Sequence, residues 1–385
     1  MDRRHFLAYS LLGLGELAVA ERLSAAQPNL LFPSSQGGKK ARDKYSIVIL
    51  GDTHFDAEPA EVYHANYNEP TEWLNRVQRA EFARNGEMWR ERCPRLLRRA
   101  SRLITPDTQM VFQMGDLIQG DCGKGEVHRQ MLDDVMNRFK QELGGLPFVT
   151  VVGNHDIRGV DAEQTYHQYM PARMSQELGQ QIVKTTFCFT IGKDAFLVID
   201  FNRPDDEEIE RMLQQTEGAR HTFVLVHGPL FPYDGGSPRW FFHGGAGEQD
   251  TAARRHFRAL FARRNVICLC GHVHTTEFAD WYGDGGRITQ MTMNSVWAKE
   301  EGKLYKPVHQ GAEQYGEGRK QKESSDSGEK QNDETPLFDE YRSGLKHYEQ
   351  SKSAGSYKLN VSKRHVTIDF YGGDSETVTK TFVLR

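Results

Sequence analysis

The sequence predicts an α/β domain with a central sheet covered by helices. Three observations lead to it. Short apolar runs alternate with amphipathic stretches of helix length. Most of the runs end at a glycine. Five of them are followed by short motifs rich in Asp, Asn and His.

The runs cover residues 45–50, 110–114, 148–152, 187–190, 195–201, 222–226 and 266–270. Most are short and rich in β-branched or aromatic residues, the pattern of a strand buried on both faces. Helical patterns fill residues 73–103, 127–143, 162–178, 205–215 and 249–263. Ile191-Gly192-Lys193-Asp194 reads as a hairpin turn between two of the strands. Residues 55–80 read as an insertion after the first strand. Further strands are expected at 357–361, 365–371 and 381–384, closing the fold as an antiparallel meander over 346–385.

Composition narrows the class. The chain has 385 residues, of which 38% are hydrophobic, 10% aromatic and 26% charged. That excludes collagen, coiled coil, multi-span transporter and small disulfide scaffold. No apolar run long enough to cross a bilayer lies beyond the first 30 positions, so no membrane span is expected in the mature chain. The net charge of −4 offers no basic field for nucleic acid, and none is expected as a partner.

Residues 1–26 read as an export signal. Arg3 and Arg4 precede an apolar stretch from Phe6 to about Ala20, and Ala18-Val19-Ala20 and Ser24-Ala25-Ala26 are both cleavage-like. Arg3-Arg4-His5-Phe6-Leu7 is similar to a twin-arginine signal, departing from it at Asp2 and Ala8. The expected location is periplasmic or extracellular. Residues 27–43 form a Pro/Ser/Gly/Lys-rich leader, and the main domain is expected over 44–300. Residues 301–345 are expected to be a flexible insertion, because 311–335 carry one aromatic and no aliphatic larger than Ala. Cys268 and Cys270 alternate along an apolar run, so they share a strand face and read as core residues, not metal ligands.

The five motifs carry the chemistry. They are Gly51-Asp52-Thr53-His54, Gly115-Asp116, Gly153-Asn154-His155-Asp156, His227-Gly228 and Gly271-His272-Val273-His274. In an open α/β sheet, strand ends converge on one crevice. Asp52, His54, Asp116, Asn154, His227, His272 and His274 then offer carboxylate, imidazole and amide ligands with no thiolate. That donor set suits Mn, Fe or Zn. Seven ligands exceed one tetrahedral ion and fit two, with one carboxylate shared, the usual clamp for attack at phosphorus.

In these blocks, D-x-H, GD, GNHD, H and GHxH, the chain resembles the calcineurin-like metallophosphoesterase superfamily over roughly residues 45–300. The resemblance implies a β-sandwich flanked by helices, four layers in the order α/β/β/α. It implies two metal ions: Asp52, His54, Asp116 and His274 on the first, Asp116, Asn154, His227 and His272 on the second. It implies hydrolysis of a small phosphate ester by a metal-bridging hydroxide. His155 is then the catalytic histidine at the leaving group, with Asp156 orienting it. The block at Gly115–Gly120 lacks the Asp and Arg of the protein phosphatases, and Gln119 stands where purple acid phosphatases carry Tyr.

Two alternatives are a nuclease-like phosphodiesterase and a non-catalytic metal- or phosphate-binding module. The missing basic patch counts against the first. The intact ligand blocks together with His155 count against the second. Arg158 and Arg203 follow strand-end motifs, which leaves phosphate contact and surface ion pair both open. The segment Pro232-Tyr233…Trp240-Phe241-Phe242 is either a wall for a planar leaving group or simple packing. The other histidines, among them His64, His128 and His167, lack ligand spacing and read as surface or core residues.

Overall fold

The computed structural model describes residues 43–233, 240–295, 305–317 and 335–385. The predicted export signal, all of the leader except Asp43, and residues 301–304 and 318–334 of the predicted insertion lie outside them. Fourteen strands and seven helices occur among the described residues.

Two sheets carry the fold. The first takes β1 (Tyr45–Leu50), β2 (Thr108–Gln113) and β3 (Phe148–Thr150), all parallel, and adds β12 (Gly355–Val361), β13 (Val366–Gly372) and β14 (Lys380–Val383). Its order is β14-β13-β12-β1-β2-β3, with β12 antiparallel to β1. The second holds β4 (Phe187–Ile191), β5 (Asp194–Ile199), β6 (Thr222–Val226), β7 (Ile267–Cys270), β8 (Thr276–Gly283), β9 (Gly286–Thr292), β10 (Pro307–Gln310) and β11 (Leu345–Ser351). Its order is β10-β11-β8-β9-β7-β6-β5-β4, and β5, β6, β7 and β9 run parallel.

Side-chain parity separates the layers. Phe196 and Val198 of β5, with Phe223 and Leu225 of β6, face the first sheet and join its core. Ala195, Leu197 and Ile199 point the other way, onto α5 (Asp206–Gln215) and α6 (Glu248–Arg263). The long α2 (Glu72–Arg102), α3 (Gly125–Glu142) and α4 (Ala162–Leu178) cover the outer face of the first sheet through Trp89, Leu97, Met131, Phe139 and Met170. The layers are therefore helices, sheet, sheet, helices. The hydrophobic pattern by itself reads as one central sheet. It misses the sandwich because a run buried on both faces looks alike whichever layer lies behind it.

The predicted helices and most strands are present within a few residues of their expected bounds. The hairpin at Ile191–Asp194 joins β4 to β5 in antiparallel register. The β8–β9 hairpin was missed, although Asp284 (φ 51°) and Gly285 (φ 84°) make the left-handed pair that a tight hairpin turn prefers. Glu277, buried in β8, broke its apolar alternation.

The expected flexible insertion is corrected at its described residues. Tyr315 is 1% exposed and packs edge-on against Phe338 and Tyr348. Phe338 lies on α7 (Thr335–Arg342), which also buries Leu337 and Tyr341. Tyr315 thus anchors the start of the polar stretch, and the three buried side chains that follow it at 337–341 anchor its far side. The closing strands also divide: β12 to β14 form the meander on the first sheet, while β11 pairs with β8 in the second.

Candidate metal centre

All five motifs sit at the carboxyl ends of parallel strands, and both sheets contribute. The first sheet supplies Asp52 and His54 after β1, Asp116 after β2 and Asn154 and His155 after β3. The second supplies His227 after β6 and His272 and His274 after β7. The loops are stitched together. Thr53 and His54 N–H groups donate to the Asp116 carbonyl, at 3.0 and 2.8 Å. The His272 N–H donates to the Asp52 carboxylate, at 3.0 Å from each oxygen.

The motif glycines make these approaches possible. A β-carbon on Gly153 would collide with Asp116, one on Gly271 with Asp52 and one on Gly115 with His227. Each glycine of one block makes room for a ligand of another. His54, Asp116, His272 and His274 all take positive φ, between 42° and 70°. Non-glycine residues rarely hold that conformation, and here the interlocked loops fix it.

Two groups of donors result. Asp52, His54, Asp116 and His274 form one, and Asp116, His227 and His272 the other, with the donor atoms of each group within 4.8 Å of one another. In the first, His274 Nε2 lies 3.0 Å from Asp52 Oδ2 and 3.2 Å from His54 Nε2. In the second, His227 Nε2 lies 3.2 Å from both Asp116 Oδ2 and His272 Nδ1. Asp116 belongs to both. His227 Nδ1 hydrogen-bonds the Met114 carbonyl at 2.7 Å, which turns Nε2 toward the shared carboxylate. Asn154 Oδ1 is buried without a hydrogen-bond partner, as suits a ligand atom that bonds an ion.

The electrostatics fit cations. Asp52 and Asp116 are almost completely buried. Burial alone would raise the Asp116 carboxyl, but His227, His155 and His54 hold it well below the usual range. Burial pulls His227 down, yet Asp116 and Asp52 outweigh it and raise the imidazole to about 9. His274 is raised against burial by Asp52. Burial and neighbouring histidines lower His54 and His272. Two buried carboxylates among four imidazoles, with no thiolate, suit two borderline divalent or trivalent ions sharing Asp116.

His155 stands beside this centre. Its N–H donates to Asp116 Oδ1 at 2.7 Å, and its ring lies edge-on to His54 at 4.5 Å between centroids. Asp156 does not orient that ring, contrary to the expectation above. Its carboxylate accepts N–H bonds from Ile118 and Gly153, tying the second block to the third. The His155 ring is set instead by Nδ1 on the Gln119 carbonyl at 3.0 Å. A backbone carbonyl after β2 holds the ring, while the adjacent carboxylate is taken up by the two loop N–H groups.

Of the two readings open for Arg158, the structure shows the ion pair. Its Nε and Nη2 grip the buried Asp121 carboxylate, and Nη1 lies 3.4 Å from His155 Nε2. Arg203 makes an exposed ion pair with Glu163. His64, His128 and His167 bond Asp56, the Asp156 carbonyl and Asp200. Cys268 and Cys270 are buried free thiols.

The calcineurin-like phosphoesterase family model matches residues 45–276, more than half of the chain. No curated protein matches significantly. Among solved structures, one of PhoD is 11% identical with a TM-score of 0.47, covering 88% of this chain and 68% of that one. A dimetal phosphatase from Danio rerio is 11% identical with a TM-score of 0.43, covering 88% and 98%. GAP50 of Plasmodium is 14% identical with a TM-score of 0.41, covering 89% of each. Scores this low do not bear on substrate. The family match and the paired donor groups, taken together, make the chain a member of the calcineurin-like phosphoesterase family and a hydrolase acting on phosphoric esters.

Proposed function

We propose that the protein hydrolyses a small phosphomonoester or phosphodiester with two ions held through Asp116. The observation that carries the reading is the place of that carboxylate in both donor groups: Oδ2 lies 3.2 Å from His227 Nε2 and 3.9 Å from His54 Nε2. Bound ions of the Mn, Fe or Zn class neutralise phosphoryl charge and lower the pKa of water. Asp52, His54 and His274 would hold one, and Asn154, His227 and His272 the other. His155 donates Nδ1–H to the Gln119 carbonyl, which leaves Nε2 as the ring atom that would meet a departing group. A proton on Nε2 would pass to the departing ester oxygen.

The Arg158 contact favours a second reading of His155. A guanidinium N–H at 3.4 Å suits a neutral imidazole, and such a ring would orient the substrate without transferring a proton. Leaving-group dependence separates the two readings. The N-terminal pattern also supports export, which fractionation of cells expressing the full chain would test.

The experiment is turnover of 4-nitrophenyl phosphate and bis(4-nitrophenyl) phosphate. Chelated protein should be inactive, and Mn, Fe, Zn or Co should restore hydrolysis. A metal-loaded protein that cleaves neither ester would refute the proposal.

A further inference from the structure

His272 is enclosed by aromatic rings. Tyr233 meets it edge-on at 5.8 Å between centroids and Phe201 at 5.8 Å with tilted planes. Trp240 lies nearly parallel to it, at 5.5 Å and 14°. Trp240 differs from its neighbours. It is 50% exposed, whereas Phe241 and Phe242 are 3% and 2% exposed and packed into the second core. One face of the indole therefore stacks on the His272 imidazole, and half of the residue's surface is exposed. Its N–H has no hydrogen-bond partner among the described residues.

We infer that Trp240 is a stacking platform for a planar ring in the group esterified to the substrate phosphate. This rests on the proposed function and names its substrate class: aryl or nucleoside phosphates over aliphatic ones. A large, half-exposed aromatic against an ion-binding histidine brings a flat apolar surface to the place where the phosphoryl group must sit. Stacking is tolerant of ring type because every base or aryl group presents a π-face. The indole N–H adds a donor at the edge of that surface. Plain packing would bury Trp240 as it buries Phe241 and Phe242.

The test compares metal-loaded wild type, Trp240→Ala and Trp240→Phe on adenosine 5′-monophosphate, 4-nitrophenyl phosphate and glycerol phosphate. Metal stoichiometry and quenching of indole fluorescence by adenosine 5′-monophosphate are measured alongside. Trp240→Ala should raise KM for the planar esters about 10-fold. It should leave glycerol phosphate and metal content unchanged, and Trp240→Phe should restore most of the loss. A larger loss with the nucleotide assigns a base, and a larger loss with the nitrophenyl ester an aryl group. Equal loss on all three esters, or loss of metal, would overturn the inference and make Trp240 a support of His272. If wild type cleaves none of the esters, the proposed function fails, and nucleotide quenching that persists in Trp240→Phe overturns the stacking inference by itself.

Discussion

The Asp116 carboxylate holds the His155 backbone through one oxygen, at 2.7 Å, and faces the His227 ring with the other, at 3.2 Å. The ion-binding groups and the catalytic candidate are thus mechanically one unit. Moving either oxygen disturbs both.

Asp116→Asn should remove that unit. One oxygen becomes an amide nitrogen, which cannot bridge two cations. Metal content should fall below two per chain and turnover by at least about 10²-fold, the scale of losing one preorganised electrostatic group. Elemental analysis beside kinetics checks it. Two retained ions with full activity would show that Asp116 does not bridge.

His155→Ala should keep both ions, since only its backbone touches Asp116. Hydrolysis should slow by roughly 10²–10⁴-fold, the range of general acid–base catalysis. A poor alkyl leaving group should suffer more than nitrophenolate. Equal slowing of both would favour the neutral, substrate-orienting role suggested by the Arg158 contact.

Tyr315→Ala should destabilise the fold by about 3 kcal/mol, as for other buried aromatic truncations. Tyr315→Phe should cost only about 1 kcal/mol, because the ring stays and one hydrogen bond to the Pro232 carbonyl is lost. Chemical denaturation measures both. A tolerated Tyr315→Ala would restore the view of this segment as unanchored.

His128 should give stability an acid limb. Burial pulls its imidazole down to about 4, with the Asp156 carbonyl and Asp121 opposing. The folded state therefore binds fewer protons than the unfolded one between its ordinary value near 6.5 and about 4. Its contribution is complete above pH 6.5 and is lost as pH falls through that window. A shift of this size amounts to about 3 kcal/mol. His128→Gln, which keeps a donor for the Asp156 carbonyl, should flatten the decline in unfolding free energy between these pH values. An unchanged slope would mean that His128 is hydrated in solution.

What the sequence by itself determined is the chemistry and its location on strands. The seven candidate donor types and the strand before each motif are local, so residue identity and apolar runs suffice to find them. Cys268 and Cys270 were legible as core residues for the same reason. What only the tertiary structure decided is pairing across long separations. The Asp156 carboxylate turns to Ile118 and Gly153, and the Gln119 carbonyl takes the His155 ring, because backbone N–H and C=O groups in the interlocked loops must be satisfied where they lie. The two sheets separate because Phe196 and Leu197, adjacent in sequence, face different layers that no local pattern identifies. Tyr315 is ordered by Phe338 and Tyr348, partners beyond the polar stretch that composition weighed alone. Trp240 stands half-open over His272 because the neighbouring Phe241 and Phe242 fill the core and leave it none.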